Sequence, residues 1–177
     1  TAGFEASDAL PRLVSIKAGT KVNVVPGKAK AAVEGFEMAT LEKAAAETKE
    51  ETGISFEFAA EGTVTEITAT GIGAHASTPD VGNNALTGLL VFLGKLDFAS
   101  CSQVDMVRKT ASLFPHGDVN GKTLGVAMED ELSGNLTLSF NMLSVDAASM
   151  DGEFDGRIPV CGNDENVLEV VRARMAE

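Results

Sequence analysis

The sequence predicts an α+β fold, a mostly antiparallel sheet with helices packed on one face. Three observations lead there. Stretches of strict apolar–polar alternation recur along the chain, as in RLVSIKA, ISFEFAAEGTVTEITATG and LTLSFNMLSVD. Segments with helical spacing separate them, as in NNALTGLLVFLGKLDF. The order is strands, helix, hairpin, helix, loop-rich insertion, hairpin, helix, which lacks the regular strand–helix alternation of a parallel sheet.

Taken in order, residues 12–18 read as a strand with Leu13 or Val14 and Ile16 facing inward. Pro26-Gly27 marks a turn, and Val22–Val25 and 29–34 on its two sides read as a strand pair. MATLEKAAAETKEETG is rich in Ala and Glu and reads as a helix, with Thr40 as N-cap, Lys43 where an acid would complete a capping box, and Gly53 as the stop. Alternation on both sides of Glu61-Gly62 predicts a hairpin, with Ile54, Phe56 and Phe58 on one face and Val64 and Ile67 continuing it. Leu86, Leu89, Leu90 and Leu93 fall at i, i+3, i+4 and i+7, an amphipathic helix capped by Asp80 or Asn83. Two glycines inside it weaken a helix, so close packing is expected there.

Residues 99–113 read as another helix and FPHGDVNGKTLG as loop. LTLSFNMLSVD and GEFDGRIPV pair through a turn around 147–152. A final helix over 165–176 puts Val167, Leu168, Val171 and Met175 on one face. Phe92, Phe98 and Phe114 are core residues.

The chain has 177 residues, 44% hydrophobic and 23% charged, which fits one globular domain. No run of 18 apolar residues could span a membrane. The start, TAGFEASDALPRL, has neither the basic nor the apolar region of a signal peptide, and it lacks Met, so a piece of a longer protein is expected. A net charge of −12 with no basic cluster makes nucleic acid and anionic membrane poor partners. The acidic residues at 47–66 and 129–131 read as solvated faces. Cys101 and Cys161 are far apart and outside any metal-type spacing, which predicts packed, reduced thiols in the cytosol. The only histidines are His75 and His116, and no H-E-x-x-H or C-x-x-C accompanies them, so no zinc site is expected within the chain.

GIGAHASTPDVGNNA, residues 71–85, carries the chemistry. Gly71, Gly73 and Ala76 satisfy G-x-G-x-x-A, but a dinucleotide loop needs its third small residue inside the opening of a helix. Pro79 drives Thr78 out of helical geometry, the helical pattern starts only near Leu86, and the acid about 20 residues on, Asp97, falls at a helix end.

The same stretch resembles the lid motif of the M20 zinc peptidases, G-x-x-A-H-x-S-x-P-x-x-G-x-N-A, through Gly71 or Gly73, Ala74, His75, Ser77, Pro79, Gly82, Asn84 and Ala85. VNVVPGKAKAAVEG, HGDVNGKTLGVAMEDELSGNLTLSFNMLSVD and GEFDGRIP resemble the bacterial dipeptidase branch, the Xaa-His or broad-specificity dipeptidases. The resemblance implies a ferredoxin-like lid of the long type over residues 1–177, inserted in a catalytic domain that binds two zinc ions and is absent from this chain. It implies a cytosolic parent acting on short unblocked peptides. This lid would cover the dipeptide and dock on the catalytic domain of the same chain. The long lid implies a monomeric parent.

It also implies site residues. His75 matches the lid histidine that helps hold the developing oxyanion. Arg157, before Ile158-Pro159, matches the arginine that binds the substrate's terminal carboxylate, a task suited to a planar fork. Asn23 matches an asparagine contacting the same end of the substrate. His116 reads as a loop or capping residue. Glu129, Asp130 and Glu131 converge poorly for a metal because neighbours on a strand point to opposite faces. The competing readings are a non-catalytic α+β binding or dimerisation module and a nucleotide-binding domain.

Overall fold

Arg12–Ala18 (β1), Val24–Val25 (β2) and Lys28–Glu34 (β3) open the described part of the chain, residues 4–177 of a computed structural model. Met38–Thr52 (α1) leads to the hairpin of Ser55–Glu61 (β4) and Val64–Thr70 (β5). Ala74–His75 (β6) and a 3-10 turn at Pro79–Val81 precede Ala85–Gly94 (α2) and Ser102–Leu113 (α3). Glu129–Asp130 (β7) and Gly134–Asn135 (β8) form a small ribbon. Thr137–Val145 (β9), Met150–Arg157 (β10) and Glu169–Ala176 (α4) complete the chain.

Six strands build one antiparallel sheet in the order β10-β9-β1-β3-β5-β4. α1 joins β3 to β4, and β5 lies between them, the split β-α-β unit of ferredoxin-like folds. One sheet face buries Leu13, Ile16, Ala29, Ala31, Val33, Ile67 and Ala69 beneath helices, with α2 against β3, β5 and β9 and flanked by α1 and α3. The other face carries exposed charge, including a Lys30–Glu66 pair at 2.7 Å between β3 and β5. The expected α+β class and one-sided helical layer are therefore observed.

Several local expectations need correction. Val22–Val25 does not pair with 29–34. β2 pairs with β6, while β1 and β5 take both edges of β3. The Pro26 and Gly27 carbonyls instead receive the N–H groups of Ala85 and Gly71, so a second loop crosses where a hairpin would close. α1 starts before Thr40: the Glu37 carbonyl already receives the N–H groups of Thr40 and Leu41, and no side chain caps the helix. Its stop is as expected, Gly53 at φ 74°. The N-cap of α2 is Asn84, not Asp80 or Asn83. The β9–β10 turn is shorter than 147–152, with Asp146 receiving the N–H groups of Ala148 and Ser149 and β10 beginning at Met150.

The last helix opens with a wide π turn, Asp164–Leu168, capped reciprocally by Asn163 and Asn166. Val167 and Val171, four apart, are buried, whereas Leu168 in that turn and Met175 near the chain end are exposed, so the apolar face is narrower than expected.

Phe92 stacks on Phe56 at 4.8 Å, and Phe114 lies between Phe140 and Phe154. Phe98 is only partly buried and meets Phe36 edge-on. Of the two glycines in α2, only Gly88 answers to close packing: a Cβ there would run into Ile54, whereas nothing lies within 4 Å of one at Gly94. Gly88→Ala is expected to destabilise the domain by about 1–3 kcal/mol through overpacking. Gly94→Ala is expected to be neutral or slightly stabilising. Denaturant midpoints of the two variants check the contrast.

Candidate functional site

The 71–85 loop is stapled at both ends. Ile72 and Asn83 exchange both backbone hydrogen bonds at 2.8 Å, and a Cβ on Gly71 would strike the Asn83 carbonyl, so glycine is what lets the two arms of the loop meet. Asn83 Nδ2 donates to the Thr52 carbonyl at the end of α1. The Asn84 side chain accepts from Leu86 and Thr87 N–H groups and donates through Nδ2 to the Phe140 carbonyl of β9 at 2.8 Å. One asparagine thus caps α2 and ties the loop to the sheet.

Between these anchors the chain runs as β6 beside β2. Val24 pairs with His75, and the Ala76 N–H donates to the Asn23 carbonyl at 3.0 Å. The fold therefore brings the backbone of Asn23 next to that of His75, 52 positions away in sequence, on neighbouring rungs of one ribbon, with both residues exposed. Asn141, fully buried in β9, holds the strand below them by donating to the Val22 carbonyl at 2.6 Å.

The His75 ring has a defined tautomer. The Ser77 backbone N–H reaches Nδ1 at 3.1 Å, and an N–H can only donate, so Nδ1 is the acceptor. The Ser77 hydroxyl lies 2.7 Å from the same nitrogen. In the neutral ring the proton then sits on Nε2, which has no hydrogen-bond partner among the described residues and projects as a free N–H donor. Ser77 is a further candidate for the site, and the His-x-Ser spacing is the sequence signal for such a local bond.

Arg157 ends β10 opposite Thr137 of β9. Its Nε–H donates to Asp155 Oδ1 at 2.8 Å, with a longer 3.4 Å contact from Nη2 to Oδ2. Its terminal Nη1/Nη2 edge is unpaired among the described residues. Val25, beside the histidine loop, and Pro79, within it, line one depression together with Ser139, the cross-strand neighbour of Asp155. The loop and the end of β10 thus flank β9, but no hydrogen bond or ion pair joins His75 to Arg157.

His116 packs against the first turn of α2, with Nδ1 2.8 Å from Thr87 Oγ1, and burial pushes its pKa below the usual histidine value. That is the structural loop role expected of it. Asp130 is more than a solvated charge. It accepts from Leu132 and Ser133 N–H groups, the Ser133 hydroxyl and the Cys161 N–H, so it clamps the β7–β8 ribbon to the segment after β10. The Ser133 N–H foremost holds its carboxyl far below the usual range. Cys161 is exposed, contrary to the packed thiol expected, whereas Cys101 is partly covered.

Among the described residues no group of three or more His, Cys, Asp or Glu could hold a metal ion. No described helix is long and apolar enough to cross a membrane.

No protein-family model matches the chain. Two curated proteins do match it. The Beta-Ala-Xaa dipeptidase of Lactobacillus delbrueckii subsp. lactis is 31% identical over 136 residues, 77% of this chain. The "Putative dipeptidase YtjP" of Bacillus subtilis (strain 168) is 34% identical over 133 residues, 74% of this chain. The chain is similar to part of two dipeptidases. The match spans only 28% of each of them, so the likeness is that of one portion of a larger protein.

Proposed function

We propose that this chain is the substrate-covering lid of a cytosolic M20-type dipeptidase, and that it contributes an oxyanion donor and a carboxylate receptor to a catalytic domain elsewhere in the parent. The observation that carries the reading is His75, exposed at the end of a two-stranded ribbon with Nδ1 occupied by Ser77 and Nε2–H free. A donor fixed in one tautomer costs little reorganisation when negative charge develops on a carbonyl oxygen. The motif around His75 and the partial likeness to two dipeptidases support the same reading.

Two zinc ions held by the rest of the parent would supply the Lewis acidity for attack on the scissile carbonyl. The chain's own part is to orient and enclose. Nε2–H of His75 donates to the oxygen as it gains charge, the free edge of Arg157 receives the peptide's terminal carboxylate, and the Asn23 amide donates to the same end without adding charge. The test compares the purified domain with its full-length parent. The parent should hydrolyse free dipeptides and contain zinc. The domain should cleave nothing and hold no stoichiometric zinc by elemental analysis. One or two zinc ions per domain would sink the proposal.

A further inference from the structure

We infer that Asp155 is the positioning residue for Arg157, holding the guanidinium so that its terminal edge faces a bound carboxylate. The inference rests on the carboxylate role proposed for Arg157. Asp155 and Arg157 are two apart on β10, opposite Ser139 and Thr137, so the two side chains share one face of the strand. Their exposure is unequal: the Asp155 side chain is 15% exposed and that of Arg157 49%. The acid is the covered member and the base the presented one.

The contact geometry agrees. Asp155 takes the side edge of the guanidinium, through Nε at 2.8 Å and Nη2 at 3.4 Å. Two parallel N–H vectors on the Nη1/Nη2 edge stay free, the fork that pairs both oxygens of a carboxylate. Among the described residues Asp155 accepts from no other group. The hydroxyls of Ser139 and Thr137 on the same face are buried without partners and do not share it. A half-exposed ion pair adds little to stability. Its consequence is to fix a long side chain at the end of an edge strand, where it would otherwise sample many rotamers.

The experiment uses the full-length parent with a free dipeptide and its C-terminal amide. Asp155→Ala should lower kcat/KM on the free dipeptide by about 10- to 100-fold, the usual scale for losing an orienting partner, mainly through KM, and leave the amide nearly unchanged. Asp155→Asn keeps an acceptor for Nε–H and should recover part of the loss. Should the alanine variant fail to fold, the asparagine variant decides alone: a fall in its preference for acid over amide supports the assignment, and an unchanged preference overturns it. A gain on the free dipeptide would mean that Asp155 competes with the substrate for the fork, which also overturns it, as does an equal loss on both substrates. Arg157→Ala is measured alongside. If it keeps the acid preference, the carboxylate reading itself falls and takes this one with it. If it loses the preference while both Asp155 variants keep it, only the role of Asp155 falls.

Discussion

His75→Ala in the full-length parent is expected to lower kcat on a saturating dipeptide by about 100-fold or more, with zinc content intact. An oxyanion donor acts mainly in the transition state, and removing one typically costs about 3 kcal/mol of barrier. The loss should therefore fall on kcat and kcat/KM together and leave KM little changed. The fold should tolerate the change, because the ring is exposed and bonds only to Ser77. The loop itself is held by Asn83, Asn84 and the Ile72–Asn83 bridge, none of which uses the imidazole. An unchanged kcat would reduce His75 to a loop residue that merely anchors Ser77.

The limits of sequence reading follow from the range of the forces involved. The hairpin of β4 and β5 was legible because its alternation and its glycine turn are local. The helices were legible from spacing, but their starts were not. The cap of α2 is Asn84, which also reaches the Phe140 carbonyl 56 positions away, while its neighbour Asn83 is tied to the Thr52 carbonyl, and sequence spacing carries no trace of either tie. The partner of β2 is hidden for the same reason: the carbonyls of Pro26 and Gly27 are taken by residues 85 and 71, where a local hairpin would otherwise close. At the site, His75 stood out by its motif. Its place next to the Asn23–Val24 backbone depends on β2 pairing with β6. Asp155 carries no sequence signal, because an acid two residues before an arginine on an edge strand is ordinary without its geometry.

If the free fork of Arg157 holds the peptide's C-terminus, both charge and shape matter at that position. Charged hydrogen bonds contribute about 1.5–3 kcal/mol each and the fork makes two, so Arg157→Ala should lower kcat/KM on free dipeptides by roughly 100-fold or more. Arg157→Lys should not restore it, since an ammonium makes a point contact in place of two parallel N–H bonds. Asp155 reinforces this expectation: it meets the guanidinium along its side edge, and a lysine held by the same carboxylate would have its single charge drawn toward Asp155 instead of presented to the substrate. A C-terminally amidated dipeptide lacks the negative charge and should already be a poor substrate for the wild type. It should lose far less on mutation, because the interaction being removed was never fully made. Measuring kcat/KM for acid and amide with wild type and Arg157→Ala closes a double-mutant cycle whose coupling term reports that contact. Equal losses on the two substrates would make the coupling zero and leave Arg157 as a strand residue paired with Asp155.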